Sequence, residues 1–285
     1  MKIKDSLHDI ARELAAHSIE DAHLEAELIF MHFFGLNRSG LYVSLEDEML
    51  PGGARSIEQM VQRRIAREPL AYIIGRREFY GRDFHVAPGV LIPRPETEIL
   101  VEEALAFVAR HFPKRDPVIA EVGTGSGVIA ISLALEMPQS RIYATDISSR
   151  ALEVAAYNCE QHSVDIALLE GDLLAPVPEP VDIVIANLPY VRDDELDKLS
   201  DEIRLHEPMV ALAGGSDGLD RIKRLLVDIA DSEARIHRGG LILLEVSPAQ
   251  GEALAAFAAE LFPAADVGLL TDPSGMVRAV GIIVS

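Results

Sequence analysis

The chain has a single cysteine, Cys159, so no disulfide can form within it and cysteine-built metal centres are excluded. Its nine histidines show neither HxxxH nor HExxH spacing, and no metal is expected. Cationic side chains are scarce: 26 Lys and Arg stand against 46 Asp and Glu, a formal charge of −20. Nucleic-acid binders gain affinity by neutralising phosphates with Lys and Arg. Direct nucleic-acid binding is therefore not expected, the stretch Arg63 to Arg77 being only a modest basic candidate. Basic protein partners suit this charge better. No run of 18 apolar residues occurs, and the first 30 residues carry acids at amphipathic spacing rather than an apolar leader. A soluble, cytoplasmic monomer without membrane association is expected. Internal repeats and low-complexity tracts are also lacking.

Apolar residues make up 49% of the 285, enough for a substantial core, and the length suits a large domain plus a small one. Residues 1–75 read as a helical bundle, 76–94 as a β-hairpin linker, and 95–285 as the main domain. In the first segment Leu7, Ile10, Leu14 and Ala15 recur at helical spacing. Ser18-Ile19-Glu20-Asp21 has capping-box spacing before a helix carrying Leu24, Leu28, Ile29 and Phe33, which stops at Gly35. A third helix starts at Ser56 with Ile57, Met60, Val61 and Ile65 on one face. The segments 78–86 and 89–92 predict two strands around a Pro88-Gly89 turn. From residue 95 helices and strands alternate. Helices are expected over 95–111, 127–136, 149–162, 218–235 and 248–261, and strands over 118–122, 141–145, 166–169, 181–186, 241–246, 265–270 and 276–284. This rhythm predicts an α/β fold with a mostly parallel sheet covered on both faces and an antiparallel hairpin at one edge.

Gly123-Thr124-Gly125-Ser126-Gly127 joins the first strand of this series to a helix. Three glycines let the backbone turn sharply and approach a ligand over the carboxyl end of the sheet. A phosphate-binding P-loop is excluded because no Gly-Lys-Ser/Thr follows. Asp146 ends the second strand, where a carboxylate can accept both ribose hydroxyls of an adenosine, although it can equally cap the helix that starts near Ser148. Asp172, after the third strand, can accept from an adenine amino group or simply end a strand. Both nicotinamide and S-adenosylmethionine enzymes share these features.

The most specific signal is Asn187-Leu188-Pro189-Tyr190 at the end of a buried strand. Asn187 offers an amide oxygen, and Pro189 holds Leu188 extended so that its carbonyl is aimed. Together they can grip the two hydrogens of one planar amino group, on which Tyr190 can stack. Such a grip suits an amide nitrogen, whose lone pair is delocalised and must be oriented toward an electrophile. No strong general base is needed for this, and none is evident.

These residues resemble class I methyltransferases carrying an (Asn/Asp)-Pro-Pro-Tyr motif, and within them the peptide chain release factor glutamine methyltransferases (the HemK/PrmC family). The resemblance runs through Pro69 to Gly75, Glu78 to Gly81, Leu91-Ile92-Pro93-Arg94-Pro95-Glu96-Thr97-Glu98, Gly123 to Gly127, Asp146-Ile147-Ser148, Glu207-Pro208, Gly214-Gly215, Asp217-Gly218-Leu219, Leu244-Glu245 and Gln250-Gly251. It implies a seven-stranded sheet with a small helical amino-terminal domain that helps hold the release factor. The implied cofactor is S-adenosylmethionine, with S-adenosylhomocysteine as product, and the implied substrate is the Gly-Gly-Gln glutamine of class-1 release factors. Gly123, Thr124, Gly125, Ser126, Gly127, Asp146 and Asn187 match the family's cofactor contacts. Leu173 stands where an aromatic residue often flanks the adenine. Asn187, Leu188, Pro189 and Tyr190 match the substrate motif, except that Leu188 replaces the first proline.

Competing readings are an adenine amino-group methyltransferase acting on DNA or RNA, a glutamine methyltransferase acting on a ribosomal protein, a non-catalytic module that kept the fold, and a nicotinamide-dependent oxidoreductase. The ribosomal branch usually reads Pro-Arg-Ser-Pro where this chain has Pro-Arg-Pro-Glu. His85, His206 and Cys159 have no second partner at useful spacing and are expected to be structural.

Overall fold

A computed structural model describes residues 1–50, 52–232 and 235–285 of the chain. It divides into two compact units, one formed by Met1–Gly75 with Ser200–His206, the other by Arg76–Leu199 with Glu207–Ser285.

The first unit is built from the helices Ile3–Ala16, Ala22–Phe34, Arg38–Val43, Gly53–Ile65, Leu70–Ile74 and Asp201–His206. Leu14, Ala26, Ile29, Phe30, Leu41, Ile57 and Val61 form its core. Three local expectations are corrected here. Ser18 does not cap the second helix, because it adopts φ +59° and the helix starts after Asp21 with no side-chain cap. Leu24 is exposed, since the buried stripe runs through Ala22, Ala26, Ile29 and Phe30 instead. The third helix starts at Gly53, three residues before Ser56. The short helix Asp201–His206, absent from the sequence reading, joins this unit through a buried ion pair. Arg64 donates to Glu25 and Glu202, at 2.6 Å in each case. A buried guanidinium with two carboxylate partners is satisfied; with one partner removed it would be a costly charge.

The second unit opens with a hairpin, β1 (Arg76–Phe79) and β2 (Arg82–His85), paired antiparallel with Phe79 opposite Arg82. Tyr80 and Gly81 both take positive φ, +51° and +71°, as a two-residue turn matched to strand twist requires. The predicted Pro88-Gly89 hairpin is thus wrong: residues 86–92 form no strand. Val86, Val90 and Ile92 alternate because each is buried, and Ile92 N–H donates to the Glu207 carboxylate at 3.2 Å rather than to a strand partner.

Beyond the hairpin come β3 (Val118–Val122), β4 (Arg141–Asp146), β5 (Ala167–Glu170), β6 (Val181–Ala186), β7 (Ile236–Glu245), β8 (Asp266–Thr271) and β9 (Val277–Ile283). They form one seven-stranded sheet in the order β5-β4-β3-β6-β7-β9-β8, the expected fold class. The strands from β5 to β7 run parallel, and β9 is antiparallel to both β7 and β8. Strand β7 starts well before the expected Leu241, and the preceding helix is Asp220–Ala230 rather than 218–235. Residues 233 and 234 of that expected helix lie outside the described residues.

Both faces of the sheet are covered, which explains why β6 is apolar almost throughout. Ile119, Ile183 and Ile185 pack under the helices Glu98–His111 and Val128–Glu136. Ala120, Val184 and Ala186 face Leu225, Leu226 and Leu254 of the helices Asp220–Ala230 and Gly251–Leu261. The exception in β6, buried Asp182, accepts two bonds from Arg115 (2.6 and 2.7 Å) and one from Val118 N–H (2.9 Å). From β3 the chain steps outward through β4 and β5, then returns to add β6 on the other side of β3. Strand order reverses between β3 and β6, and such a switch point opens a ligand crevice at the strands' carboxyl ends. Both sequence motifs, the glycine turn after β3 and Asn187 to Tyr190 after β6, fall there.

Candidate active site

A cleft lies at these strand ends, and its walls include Gly123, Gly125, Asp146, Leu173, Asn187 and Pro189.

The glycine turn is pinned from both sides. Gly123 and Thr124 N–H both donate to Thr145 C=O of β4 at 2.9 Å, and Gly127 N–H closes onto Thr124 C=O at 2.8 Å. Gly123 has φ +76°, a conformation that strains any side chain, and a Cβ there would lie 3.0 Å from Leu188 Cδ2. Beneath the turn Glu121 is buried and accepts from Thr124 Oγ1 (2.6 Å) and Ala130 N–H (2.9 Å). Burial pushes its carboxyl up to about 8 despite those two bonds.

Asp146 holds the far end of the turn. One carboxylate oxygen accepts Gly125 N–H and the other Ser148 N–H, both at 2.9 Å. Burial raises its pKa while these backbone donors lower it. Capping of the helix Ser149–His162 falls to Ser148, whose Oγ accepts Ala151 N–H at 3.2 Å. Asp146 is therefore a rigid carboxylate at the cleft wall rather than the helix cap. Asp172 also lines the cleft, but its carboxylate is partly exposed and ion-paired with Arg224. Leu173 is buried at φ +50°, its carbonyl accepting from Thr145 Oγ1 at 2.9 Å.

The Asn187–Tyr190 turn is clamped by partners far along the chain. Asn187 Nδ2 donates to Thr97 Oγ1 at 3.1 Å, which commits the nitrogen end of the amide to the protein. Leu188 is buried among core residues and packs against Gly123, so packing replaces the stiffness a proline would supply. Tyr190 C=O accepts from Gln250 Nε2 at 2.9 Å. Gly214 and Gly218 run so close to this turn that a Cβ on either would meet the carbonyl of Pro189 or Tyr190, at 2.7 and 2.3 Å. Glycine is required at both positions for that approach. The half-buried Tyr190 ring packs against the core and its hydroxyl donates to Glu245 Oε1 at 3.3 Å. Burial, with the neighbouring Glu245 carboxylate, holds the phenol well above its ordinary value.

Sequence reasoning missed several contributors. Asn158 ties the hairpin to the glycine turn: Nδ2 donates to His85 C=O (3.0 Å) and Ser126 C=O (2.8 Å), and Oδ1 accepts His85 N–H (2.8 Å). Arg94 pairs with buried Glu207. Glu245, like Asp146 and Asn187, is a polar residue ending a buried strand, the one sequence signal that could have flagged it. Cys159 is buried, its thiol pushed up to about 11 by desolvation, an inert environment.

Comparison with known proteins supplies the family. Residues 5–75 match the PrmC N-terminal domain, and residues 98–211 the Methyltransferase small domain. The release factor glutamine methyltransferase of Geobacter sulfurreducens is 39% identical over 270 residues, 94% of this chain and 92% of that protein. The chain belongs to the release factor glutamine methyltransferase family. Solved structures agree on the fold. The hMettl16 catalytic domain in complex with a 3′UTR hairpin superposes with a TM-score of 0.57 at 13% identity, covering 80% of each chain. The Thermus thermophilus 16S rRNA methyltransferase RsmC, in complex with AdoMet and guanosine, gives 0.52 at 18% identity, covering 74% of this chain and 50% of that one. Among the described residues no helix is long and apolar enough to cross a membrane.

Proposed function

We propose that this protein transfers a methyl group from S-adenosylmethionine to the side-chain amide nitrogen of the Gly-Gly-Gln glutamine in class-1 peptide chain release factors. Family membership supports the reaction, and one observation carries the chemistry: Asn187 lines the cleft with its amide nitrogen bonded to Thr97, which leaves Oδ1 as the end available to a ligand.

The cleft suits the cofactor on its own evidence. The glycine turn has no side chain where a Cβ would intrude, and Asp146 presents a fixed carboxylate that can accept ribose hydroxyls, each such bond contributing roughly 1.5–3 kcal/mol. Thr124 and Ser126 belong to the same turn, Leu173 offers an apolar wall for the adenine, and Asp172 an acceptor for its amino group. When bound, S-adenosylmethionine supplies a methyl carbon made electrophilic by the sulfonium.

The protein's own part is to grip and aim. Asn187 Oδ1 and the Leu188 carbonyl accept the two hydrogens of the glutamine NH2, orienting the nitrogen lone pair and stabilising positive charge that develops there. One of these protons leaves after transfer. Pro189 stiffens the turn, and Tyr190 anchors it through Glu245 and Gln250. Residues 1–75 serve to hold the release factor. The catalytic residues are thus Asn187, Pro189 and Tyr190, acting by position and charge rather than as bases.

The experiment is to incubate the enzyme with a purified release factor and labelled S-adenosylmethionine, then map the labelled residue. Label on the Gly-Gly-Gln glutamine is the expected result; a release factor left unlabelled, or label on adenine in added nucleic acid, would overturn the reading.

A further inference from the structure

We infer that Gln250 is a positioning residue for methyl transfer. Its side-chain amide fixes the peptide plane after Tyr190 and so holds the Asn187–Tyr190 turn that aims the Leu188 carbonyl, a role that rests on the function proposed above. Gln250 lies between β7 and the helix Gly251–Leu261, which its side chain does not cap. It is 7% exposed and stands outside the cleft walls. Its amide is spent instead on three loops. Nε2 donates to Tyr190 C=O at 2.9 Å and to Asp217 C=O at 3.1 Å. Oε1 accepts Ser247 N–H at 3.1 Å and the Ser247 hydroxyl at 2.8 Å.

A primary amide has two donor hydrogens and two acceptor lone pairs, and all four are used here. Its orientation is fixed by backbone groups of one polarity each. Tyr190 and Asp217 C=O can only accept, and Ser247 N–H can only donate. A flipped amide would set its oxygen against two carbonyls and its hydrogens against an N–H. An apolar side chain of the same shape would leave both carbonyls without this donor.

Each carbonyl belongs to a peptide plane already held at its other end. Val191 N–H donates to Leu212 C=O at 2.9 Å, and Gly218 N–H to Gly215 C=O at 3.1 Å. Gln250 completes the locking of both planes, one directly after the motif and one in the loop packed against it. The fit is close: a Cβ on Gly218 would lie 2.3 Å from both Gln250 Nε2 and the Tyr190 oxygen. At the other end of the motif Asn187 Nδ2 donates to Thr97. With residues 187 and 190 both pinned, and Pro189 holding Leu188 extended, the Leu188 carbonyl has little freedom of direction. A misplacement of about 1 Å in such a group can cost on the order of 10²-fold in rate. The four bonds of Gln250 reach neither the glycine turn nor Asp146, so its loss should fall on kcat and spare cofactor affinity.

Four variants test this: Gln250→Met, Gln250→Glu, Ile282→Ala and, as reference, Asn187→Ala. Methionine keeps the length of the side chain and loses its hydrogen bonds. Glutamate keeps the shape and the bonds from Ser247 but turns an oxygen toward the two carbonyls. Ile282, fully buried in β9, serves as a core truncation outside the cleft walls. The measurements are kcat and KM on a release factor, the S-adenosylmethionine dissociation constant by calorimetry, and the melting temperature. Both Gln250 variants should lower kcat at least tenfold, with KM for the release factor and cofactor affinity within threefold of the parent. Ile282→Ala should lower the melting temperature at least as far and keep kcat within threefold. Should Gln250→Met fail to fold, Gln250→Glu carries the test. A folded Gln250 variant keeping more than a tenth of the parent's kcat, with Asn187→Ala inactive, would overturn the inference and leave the proposed function standing. A kcat loss that Ile282→Ala matches would overturn it too, since lost stability would then explain it, and so would cofactor affinity falling in step with kcat. Asn187→Ala turning over like the parent would overturn both.

Discussion

Asn187 and Asp146 are both polar residues at the ends of buried strands, yet the structure uses them differently. Asn187 gives its nitrogen to Thr97, and in the proposed reaction its oxygen takes the substrate, so truncating it removes an acceptor without emptying the core. By analogy with loss of an oxyanion-hole donor, about 3–4 kcal/mol of barrier should follow. Asn187→Ala is thus expected to lower kcat by about 10²–10³ with cofactor affinity nearly unchanged, as steady-state kinetics on a release factor would measure. Asp146 is held by two backbone donors at the cleft wall. Asp146→Ala should raise the KM for S-adenosylmethionine by about 10- to 100-fold, and that for the protein far less. Both residues were legible in the sequence because each follows an apolar strand at the sheet's carboxyl edge. Thr97, Glu245 and Asn158 were not legible in their roles, because their partners lie far along the chain and only folding brings them together. The hydrogen bond from the Tyr190 hydroxyl to Glu245 was not legible either, because a motif position says nothing of a partner 55 residues along the chain.

Among the elements, the central strands β3 and β6 were readable because burial on both faces writes them as apolar runs bounded by turns. The same rule misled at residues 86–92, where Val86, Val90 and Ile92 are buried without strand pairing. The real hairpin turn, Tyr80-Gly81, is hard to see because a tyrosine occupies a position that takes φ +51°. Asp201–His206 is too short to show periodicity and was overlooked. Connections between elements also set local stability. Asn158 joins the hairpin to the glycine turn with three bonds, and Asn158→Ala leaves those backbone groups without it. A loss of about 2–3 kcal/mol is expected in chemical denaturation, with weaker cofactor binding alongside. The glycine turn also rests on Glu121, whose folded pKa is raised to about 8 by burial. The unfolded chain ionises this group at its ordinary value, so the stability it permits is full below that value and is lost as pH rises through about 8. Glu245, raised to about 7, acts in the same direction. Melting temperature should therefore decline between pH 5 and pH 8.5 (roughly the interval the two shifts span), and Glu121→Gln should flatten part of that decline.

At the scale of the whole molecule, the chain's −20 charge suits a protein acceptor better than a phosphate backbone. Fold alone could not have made that distinction, since an rRNA methyltransferase shares the sheet at 18% identity. Family membership makes it. The helical unit is not merely an amino-terminal appendage: the segment Ser200–His206 returns to it, and Arg64 holds Glu202 there. Everything in the proposed chemistry converges on how a glutamine amide is seated, and a crystal structure of the enzyme with S-adenosylhomocysteine and a release factor measures that directly. The glutamine nitrogen should lie about 2.9 Å from both Asn187 Oδ1 and the Leu188 carbonyl oxygen, typical hydrogen-bond lengths. Asn187 rotated away, or a glutamine side chain docked elsewhere on the cleft, would contradict it.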